Sequence, residues 1–372
     1  MRKLSAILLG AALAAVPVLG WAQHTPNSQK KWAWLNFERP AGVNPVISPR
    51  PSSVFNCPMQ GRPIGWEESE TFNPAATIKG DSIIVLYRAE DNTHQGIGSR
   101  TSRLGYAASA DGIHFNRRPQ PVFYPDNDSQ AANEHPGGCE DPRVAVTEDG
   151  VYVMFYTQWN HKYAQLAVAT SRDLLHWTKH GPVFGNNKRY PGTKYTKSAS
   201  ILTKMKNGRQ VITKLNGKYV MFWGEYFVNV ATSDDLIHWT PTLDDKGNIL
   251  KAMSPRRGYF DSMLTECGPP ALLTKKGILL FYNGKNSKSS GDPKYTANAY
   301  CAGQALFSSK NPNQLLDRLD EPFFKPELDF EKSGQYPAGT VFIEGLVPFH
   351  GSWYLYYGCA DSRVSVAVRK GK

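Results

Sequence analysis

The 372-residue sequence predicts an all-β fold, a five-bladed β-propeller, because two patterns repeat along it. The first is a short apolar and aromatic strand that follows a glycine-containing turn. It occurs five times, at residues 83–90, 152–159, 219–226, 278–285 and 353–360. The second is a Ser-x-Asp-x-x-His-aromatic turn, which begins at residues 109, 171 and 233. Five copies of a four-stranded unit are typical of a propeller in which each unit is one blade.

Each aromatic strand has a short strand before its glycine turn and another after it. A fourth strand follows in most copies and is marked by proline and phenylalanine, as at residues 121–123 and 182–184. The last copy ends after its third strand, 364–368, whereas residues 45–47 have the Pro-apolar-apolar form of a fourth strand. We therefore expect an N-terminal strand to complete the last blade and close the ring, which removes open sheet edges. On this interpretation residues 23–372 form one propeller domain.

Residues 1–22 have the composition of an export signal. Two basic residues are followed by an apolar stretch over residues 4–20, and small residues precede an expected cleavage site after Ala22. The alternative, a membrane anchor, is disfavoured because the apolar run is short and contains Pro17. We expect an exported bacterial protein, periplasmic or secreted, that leaves the membrane after cleavage.

The formal net charge of +11 first suggests a nucleic acid as partner. The basic residues are scattered, however, and an exported protein does not meet DNA, so we expect no nucleic-acid partner. The five cysteines have no CxxC spacing and no HExxH sequence occurs, so we expect no metal site of that kind and no cofactor. We expect some of the thiols to be buried, and an oxidising compartment would allow one disulfide to form.

In a blade whose strands run up and down, the start of the first strand and the end of the second lie at the same end of the propeller. The long connections fall at this end too, and loops on a rigid scaffold commonly carry function. Carboxylates occur at these positions in all five repeats, and crowding in a central funnel would raise their pKa values. The polar residues concerned are Arg88, Asp91, Glu140, Asp141, Arg143, Lys197, Glu225, Glu266, Asn283, Glu344 and Asp361.

Two kinds of chemistry need several carboxylates at this spacing. In an inverting glycosidase one carboxyl group protonates the leaving oxygen and another activates water, at a separation of about 6.5–9.5 Å. A Ca²⁺ site also uses several oxygens, but the sequence has no DxDxDG loop, so calcium is left as a structural ion on the axis. The plainer alternative is that the carboxylates only pair with nearby arginine and lysine. The Ser-x-Asp-x-x-His turns fall at the other end, so we interpret them as turn braces and not as catalytic groups.

Five short strings in the sequence resemble glycoside hydrolase family 130, the β-mannoside phosphorylases and β-mannosidases. They are residues 86–89 (LYRA), 139–143 (CEDPR), 235–239 (DLIHW), 267–270 (CGPP) and 356–361 (YYGCAD). The resemblance covers about residues 45–368. It implies a five-bladed propeller, a manno-oligosaccharide substrate and an inverting, exo-type attack on a terminal β-mannosyl unit.

The resemblance also implies roles for individual residues. Asp141 would be the general acid, with its proton passing through a hydroxyl of the substrate mannose. Arg88, Asp91 and Asp361 would hold that mannose in the −1 subsite. Further substrate contacts are expected from Glu140, Arg143, Lys197 and Asn283.

Departures from the family pattern bear on the reaction. Phosphorylases of the family typically have Arg-Asn, His-Arg and His where this chain has Lys197-Ser198, Trp223-Gly224 and Asn283. The basic residues that would bind phosphate are thus replaced or reduced in number. Glu225 and Glu266 stand near two of these positions, where a carboxylate could activate water. We therefore expect the hydrolytic branch, an exo-β-mannosidase acting on β-1,2-linked mannosides. A β-mannoside phosphorylase that forms mannose 1-phosphate is the first alternative, and a non-catalytic glycan-binding propeller is the second.

Overall fold

The computed structural model describes residues 26–185 and 195–371, so the predicted export signal, residues 1–22, lies outside the described residues. Within this part of the chain the fold is all-β, as predicted. Helix is confined to one short α-helix, α1, and two 3₁₀ turns, at Ala131–Glu134, Asn27–Gln29 and Asp329–Glu331. None of these is long and apolar enough to cross a membrane.

Strands β1 and β2 form a hairpin, and six further strands build the first two antiparallel units with two short edge strands. The bounds of β1 to β6 are Val54–Cys57, Arg62–Gly65, Glu70–Ile78, Ile83–Glu90, Ser102–Ser109 and Asn116–Arg117. The bounds of β7 to β10 are Gly138–Val146, Tyr152–Trp159, Ala164–Ser171 and Thr178–Pro182. Unit one is β3 to β6, and unit two is β7 to β10.

Units three and four belong to one twelve-stranded sheet, because β11 of unit three pairs in parallel with β19 of unit four. The bounds of β11 to β17 in unit three are Ala199–Lys206, Arg209–Ile212, Lys214–Leu215, Lys218–Trp223, Val228–Ser233, Thr240–Pro241 and Lys251–Met253. The bounds of β18 to β22 in unit four are Leu264–Cys267, Ala271–Thr274, Gly277–Lys285, Tyr300–Phe307 and Leu315–Arg318.

Unit five has three strands of its own, β23 to β25, at Val341–Phe349, Ser352–Cys359 and Arg363–Lys370. Its free edge is paired with the N-terminal segment: Ile47 bridges Val364, and Glu38 bridges Val368, both antiparallel. The Asn44 side chain reinforces the pairing, since it donates to the Val366 carbonyl and accepts from the Val366 amide, each at 2.8 Å. The segment therefore occupies the place of a fourth strand.

The first and last units also pack directly on each other. One apolar cluster joins Ile83 and Tyr87 of unit one to Tyr356 and Val364 of unit five. The inner strands approach so closely that a Cβ added to Gly345 would lie 2.8 Å from the Ala76 Cβ. Similar apolar clusters lie between the other neighbouring units, so the core is distributed between sheets.

A buried clasp recurs in four of the units. The aromatic strand carries a tyrosine whose hydroxyl donates to a fully buried carboxylate in the segment before the unit. The pairs are Tyr87–Glu67, Tyr156–Glu134, Tyr282–Asp261 and Tyr357–Glu331, at 2.6–2.8 Å. Each carboxylate also pairs with arginine or lysine, which compensates its burial. Unit three has Trp223 in place of the tyrosine.

The Ser-x-Asp-x-x-His turns are braces, as predicted. Asp111 accepts from the amides of Ile113 and His114 at 2.9 Å and pairs with the His114 ring at 2.7 Å. The other two turns repeat this arrangement, and their histidine side chains are exposed. All five cysteines are buried free thiols, so the structure has no disulfide between them.

Candidate active site

The inner strands are irregular at one level of the structure. Pairing shifts register at Asn73 in β3, at Asp141 in β7 and at Glu344 in β23. Asn73, Asp141 and Ser198 have φ angles of 45°, 48° and 55°, a region that non-glycine residues rarely adopt. A bulge re-aims the side chain that it carries, and strained backbone of this kind is common at functional sites. Here the irregularities accompany a cluster of polar side chains.

These side chains border a cavity of about 180 Å³ to which all five units contribute. Six of the residues predicted from the sequence line it: Arg88, Asp141, Lys197, Glu225, Glu266 and Asp361. The other lining residues are Phe72, Asn73, Glu90, Ile97, Tyr300, Gln335, Tyr336 and Phe342. The cavity thus lies where the first strands begin and the second strands end, the end that the topology argument selected.

One side of the cavity, which we call the Asp141 wall, consists of Asn73, Arg88 and Asp141. The Asp141 carboxylate accepts from Asn73 at 2.9 Å and from Arg88 at 3.0 Å. Burial by itself would raise the pKa of Asp141, but the charges of Arg88, Lys197 and Arg143 hold it below its usual range. Asp141 is therefore ionised at neutral pH.

Arg88 organises this wall. Its guanidinium donates to Glu90 at 2.6 Å and to Glu140 at 2.9 Å, in addition to Asp141, and stacks 4.6 Å from the centre of the Phe72 ring. Burial opposes its charge, but the surrounding carboxylates raise the pKa of Arg88 well above its ordinary value. A side chain held by several partners presents a fixed cation to a ligand.

The other side, which we call the Glu266 wall, consists of Ser198, Glu225 and Glu266. The Ser198 hydroxyl donates to Glu266 at 2.5 Å. Burial and the charge of Glu225 raise the pKa of Glu266 to about 8, although Arg143 and Lys197 act in the opposite direction. Glu266 therefore keeps its proton at neutral pH.

Lys197 and Asp361 complete the charge pattern. The Lys197 ammonium lies 3.4 Å from Glu140 and 4.0 Å from Asp141, and its pKa is raised by these carboxylates and by Glu225 and Glu266 against the effect of burial. Burial raises the pKa of Asp361 to about 7, with Arg88 opposing and Asp141 reinforcing the shift. The charge of Lys197 thus acts on carboxyl groups of both walls.

Four predicted binding residues do not line the cavity. Asp91 is fully buried in an ion pair with Arg103 at 2.8 Å. Glu140 lies behind Arg88, where burial raises its pKa despite Arg88 and Lys197. Arg143 donates to the Asp141 carbonyl at 2.9 Å and lies 2.8 Å from Glu344, so it supports the bulge from below.

Asn283 is the fourth. Its amide donates to the Ile343 carbonyl at 3.1 Å and accepts from the Ile343 amide at 2.8 Å, which joins unit four to unit five. Asn283 does not face the cavity, so its difference from the histidine of the phosphorylases says nothing about phosphate binding. The case against a phosphate site therefore depends on Lys197, Ser198 and Glu225.

The sequence interpretation missed most of the loop residues. Gln335 and Tyr336 follow the clasp residue Glu331, and Gln335 also donates to the Asp361 carbonyl at 2.9 Å. Tyr300, which begins β21, packs on Tyr336 with 5.4 Å between ring centres. Glu90, by contrast, belongs to the strand end 88–91 that the sequence indicates, and it lies two residues from Arg88 on the same strand face.

The amino-acid sequence matches a known protein family over most of its length. The sequence profile of glycoside hydrolase family 130, described as β-1,4-mannooligosaccharide phosphorylase, matches residues 44–371. The chain therefore belongs to glycoside hydrolase family 130. It is 33% identical over 312 residues to a 1,2-β-oligomannan phosphorylase of Thermoanaerobacter sp. (strain X514), which covers 82% of this chain and 92% of the relative.

Two solved structures are more similar in sequence. One is described with the glycoside hydrolases of this family that target β-1,2 mannosidic linkages in Candida mannan. It is 59% identical to this chain, with a TM-score of 0.90, and the match covers 91% of this chain and 95% of the solved chain. The other is a glycosyl hydrolase from Bacteroides ovatus, 61% identical with a TM-score of 0.89, at 91% and 95% coverage.

Proposed function

We propose that this protein is an inverting, exo-acting β-mannosidase that hydrolyses terminal β-1,2-linked mannosyl units of manno-oligosaccharides. The observation that carries the proposal is the pair Glu225 and Glu266, which lines the same cavity as Asp141 but belongs to other units. Hydrolysis with inversion needs one carboxyl group for the leaving oxygen and a second for water. The description of the solved relative on β-1,2 mannosidic linkages supports the substrate class.

Asp141 supplies the proton for the leaving oxygen in this mechanism, through a hydroxyl of the bound mannose. Arg88 and Asp361 hold that mannose, and Asn73 fixes the carboxyl group of Asp141. Asp141 is ionised and Glu266 is protonated at neutral pH, whereas the reactive form needs the proton on Asp141. The proton moves to the Asp141 side, and the Glu225–Glu266 pair then carries the charge.

The Glu266 wall supplies the base. One carboxylate of the Glu225–Glu266 pair takes a proton from water as the oxygen of that water bonds to the sugar C1 and the bond to the leaving oxygen breaks. With the proton on Asp141, both carboxylates of the pair are charged, and their mutual repulsion favours uptake of a proton from water.

Electrostatics favours water over phosphate as the nucleophile. Inorganic phosphate needs several fixed cations or donors. The Glu266 wall has two carboxyl groups and one serine at this place, and Lys197 is already engaged by Glu140 and Asp141. The main alternative is a β-mannoside phosphorylase, which the name of the Thermoanaerobacter relative favours.

The proposal includes the architecture and location. We propose that the five units are the blades of one propeller, that the N-terminal segment closes it beside β25, and that residues 1–22 direct export. The pairing of Ile47 with Val364 and the packing of unit one on unit five support the ring.

The deciding experiment is hydrolysis of β-1,2-mannobiose with and without inorganic phosphate, followed by proton NMR. We expect equal release of mannose in both conditions, with the α-anomer formed first. Mannose 1-phosphate that forms only with phosphate would establish the phosphorylase instead. Binding without turnover in either condition would leave a glycan-binding propeller.

A further inference from the structure

Ile97 is an exposed aliphatic side chain at a polar site. It is 57% exposed, and it is the one exposed large hydrophobic residue among the described residues that line the catalytic cavity. Exposure of an aliphatic side chain to water is unfavourable, and a ligand that covers the side chain removes its apolar surface from water. Ile97 therefore lies where a ligand in the cavity can cover it.

The backbone presents Ile97 at the tip of its loop. Gly96 and Gly98, on either side, have φ angles of 91° and 76°. These left-handed conformations are accessible to glycine and strained for other residues. An added Cβ would meet nothing within 4 Å at Gly98, so the requirement there concerns conformation and not space.

Neighbouring units hold the loop in place. The Trp159 indole of unit two donates to the Gly98 carbonyl at 2.8 Å. Arg100 donates to Gln335 at 2.9 Å, and Thr101 donates to the Pro136 carbonyl at 2.9 Å. Anchors in unit two and in the segment before unit five make Ile97 a fixed wall.

The side of the cavity identifies the sugar. Under the proposed function, on which this inference rests, water is activated at Glu225 and Glu266 of units three and four. Inversion places the leaving sugar on the opposite face, toward Asp141. The Ile97 loop belongs to unit one and is bonded to unit two, the same side as Asp141.

We propose that Ile97 forms an apolar wall of the subsite for the leaving sugar and packs against the C–H groups of the mannose that is released. Trp159 is its positioning residue, because its indole fixes the Gly98 carbonyl. The ligand class is the penultimate sugar of a β-mannoside, and the contact contributes to selection of the leaving group.

The test compares two substrates that differ only in the leaving group. β-1,2-Mannobiose places a sugar beside Ile97, whereas β-mannosyl fluoride places none there. We expect Ile97→Ala to lower kcat/KM about tenfold for mannobiose and to leave β-mannosyl fluoride unchanged. Val54→Ala is the matched control, because Val54 is equally exposed at 56% and does not line the cavity.

Each outcome decides the inference. An equal effect of Ile97→Ala on both substrates, or no effect beyond that of Val54→Ala, would overturn it. Trp159→Phe keeps the aromatic ring but loses the donor, and we expect a smaller loss confined to mannobiose. The mannobiose measurement can be made with and without phosphate. A wild-type enzyme that needs phosphate would refute the proposed hydrolysis, whereas the effect of Ile97→Ala in phosphate buffer would still test the leaving-sugar contact.

Discussion

Asp141 in one wall and Glu266 in the other are equally buried, but their pKa values are shifted in opposite directions. Asp141 and Glu266 are each 4% exposed. The pKa of Asp141 is held low by Arg88 and Lys197, whereas burial beside the Glu225 charge raises the pKa of Glu266 to about 8. Both groups lose hydration on burial, so the difference comes from the neighbouring charges.

This difference shows how one cavity can hold two kinds of carboxyl group. Arg88 is placed by three carboxylates and the Phe72 ring, so its charge is fixed on the Asp141 side. The Glu266 side has a hydroxyl at Ser198 as its direct hydrogen-bond donor. The proposed roles, acid for Asp141 and base for the Glu225–Glu266 pair, require the reverse arrangement, so a proton must move to Asp141 before the reaction.

The largest expected effect comes from removing the ionisable group of the Asp141 wall. Asp141→Asn keeps the size of the side chain but cannot supply a proton, so we expect kcat to fall by about three orders of magnitude or more with natural substrate. Steady-state kinetics and a thermal melt check this. Asp234→Asn, at an exposed carboxylate paired with Lys218, is the control and should keep the wild-type rate.

The next effect concerns the Glu266 wall. We expect Glu225→Gln and Glu266→Gln each to lower kcat by about 10²–10³-fold, because neither variant has the complete carboxyl pair. Azide needs no base, so Glu225→Ala or Glu266→Ala should form α-mannosyl azide from β-mannosyl fluoride. Wild-type turnover in both glutamine variants would show that water is activated elsewhere.

The smallest effect is on stability. Because the folded protein raises the pKa of Glu266 from 4.5 to about 8, it binds this proton more tightly than the unfolded chain does. The wild-type protein therefore loses stability as the pH rises from about 4.5 to 8, whereas Glu266→Gln has no such loss. We expect the melting temperature of the variant, relative to wild type, to be higher at pH 8 than at pH 5 by about 2 °C or more. A constant difference between the two pH values would contradict the shift.

The repeats explain why much of the site could be predicted. Arg88, Asp141, Glu225 and Glu266 occupy corresponding places at strand starts and ends, and the chain geometry brings such places together. Side-chain direction was harder to predict. Arg88 and Glu90 face the cavity because side chains alternate along a strand, whereas Asp91 turns toward Arg103.

Other parts of the site have no signal in a single sequence. Asn283 occupies a strand-end position like that of Gln158, but its amide matches the Ile343 backbone, a partner 60 residues away. Ile97, Gln335 and Tyr336 come from long connections without periodicity, so their position depends on anchors in other units. The clasp tyrosines belong to the repeated aromatic strand, but nothing in the sequence marks their buried carboxylate partners.

The pairing of the N-terminal segment with β25 also constrains the order of folding. Asn44 bonds to Val366, which is 322 residues further along the chain. Contacts between such distant residues form late, because most of the chain must first be ordered to bring them together. During synthesis the N-terminal segment cannot pair with unit five until residues 364–368 have been made. The two segments that pair at this edge therefore meet late in synthesis.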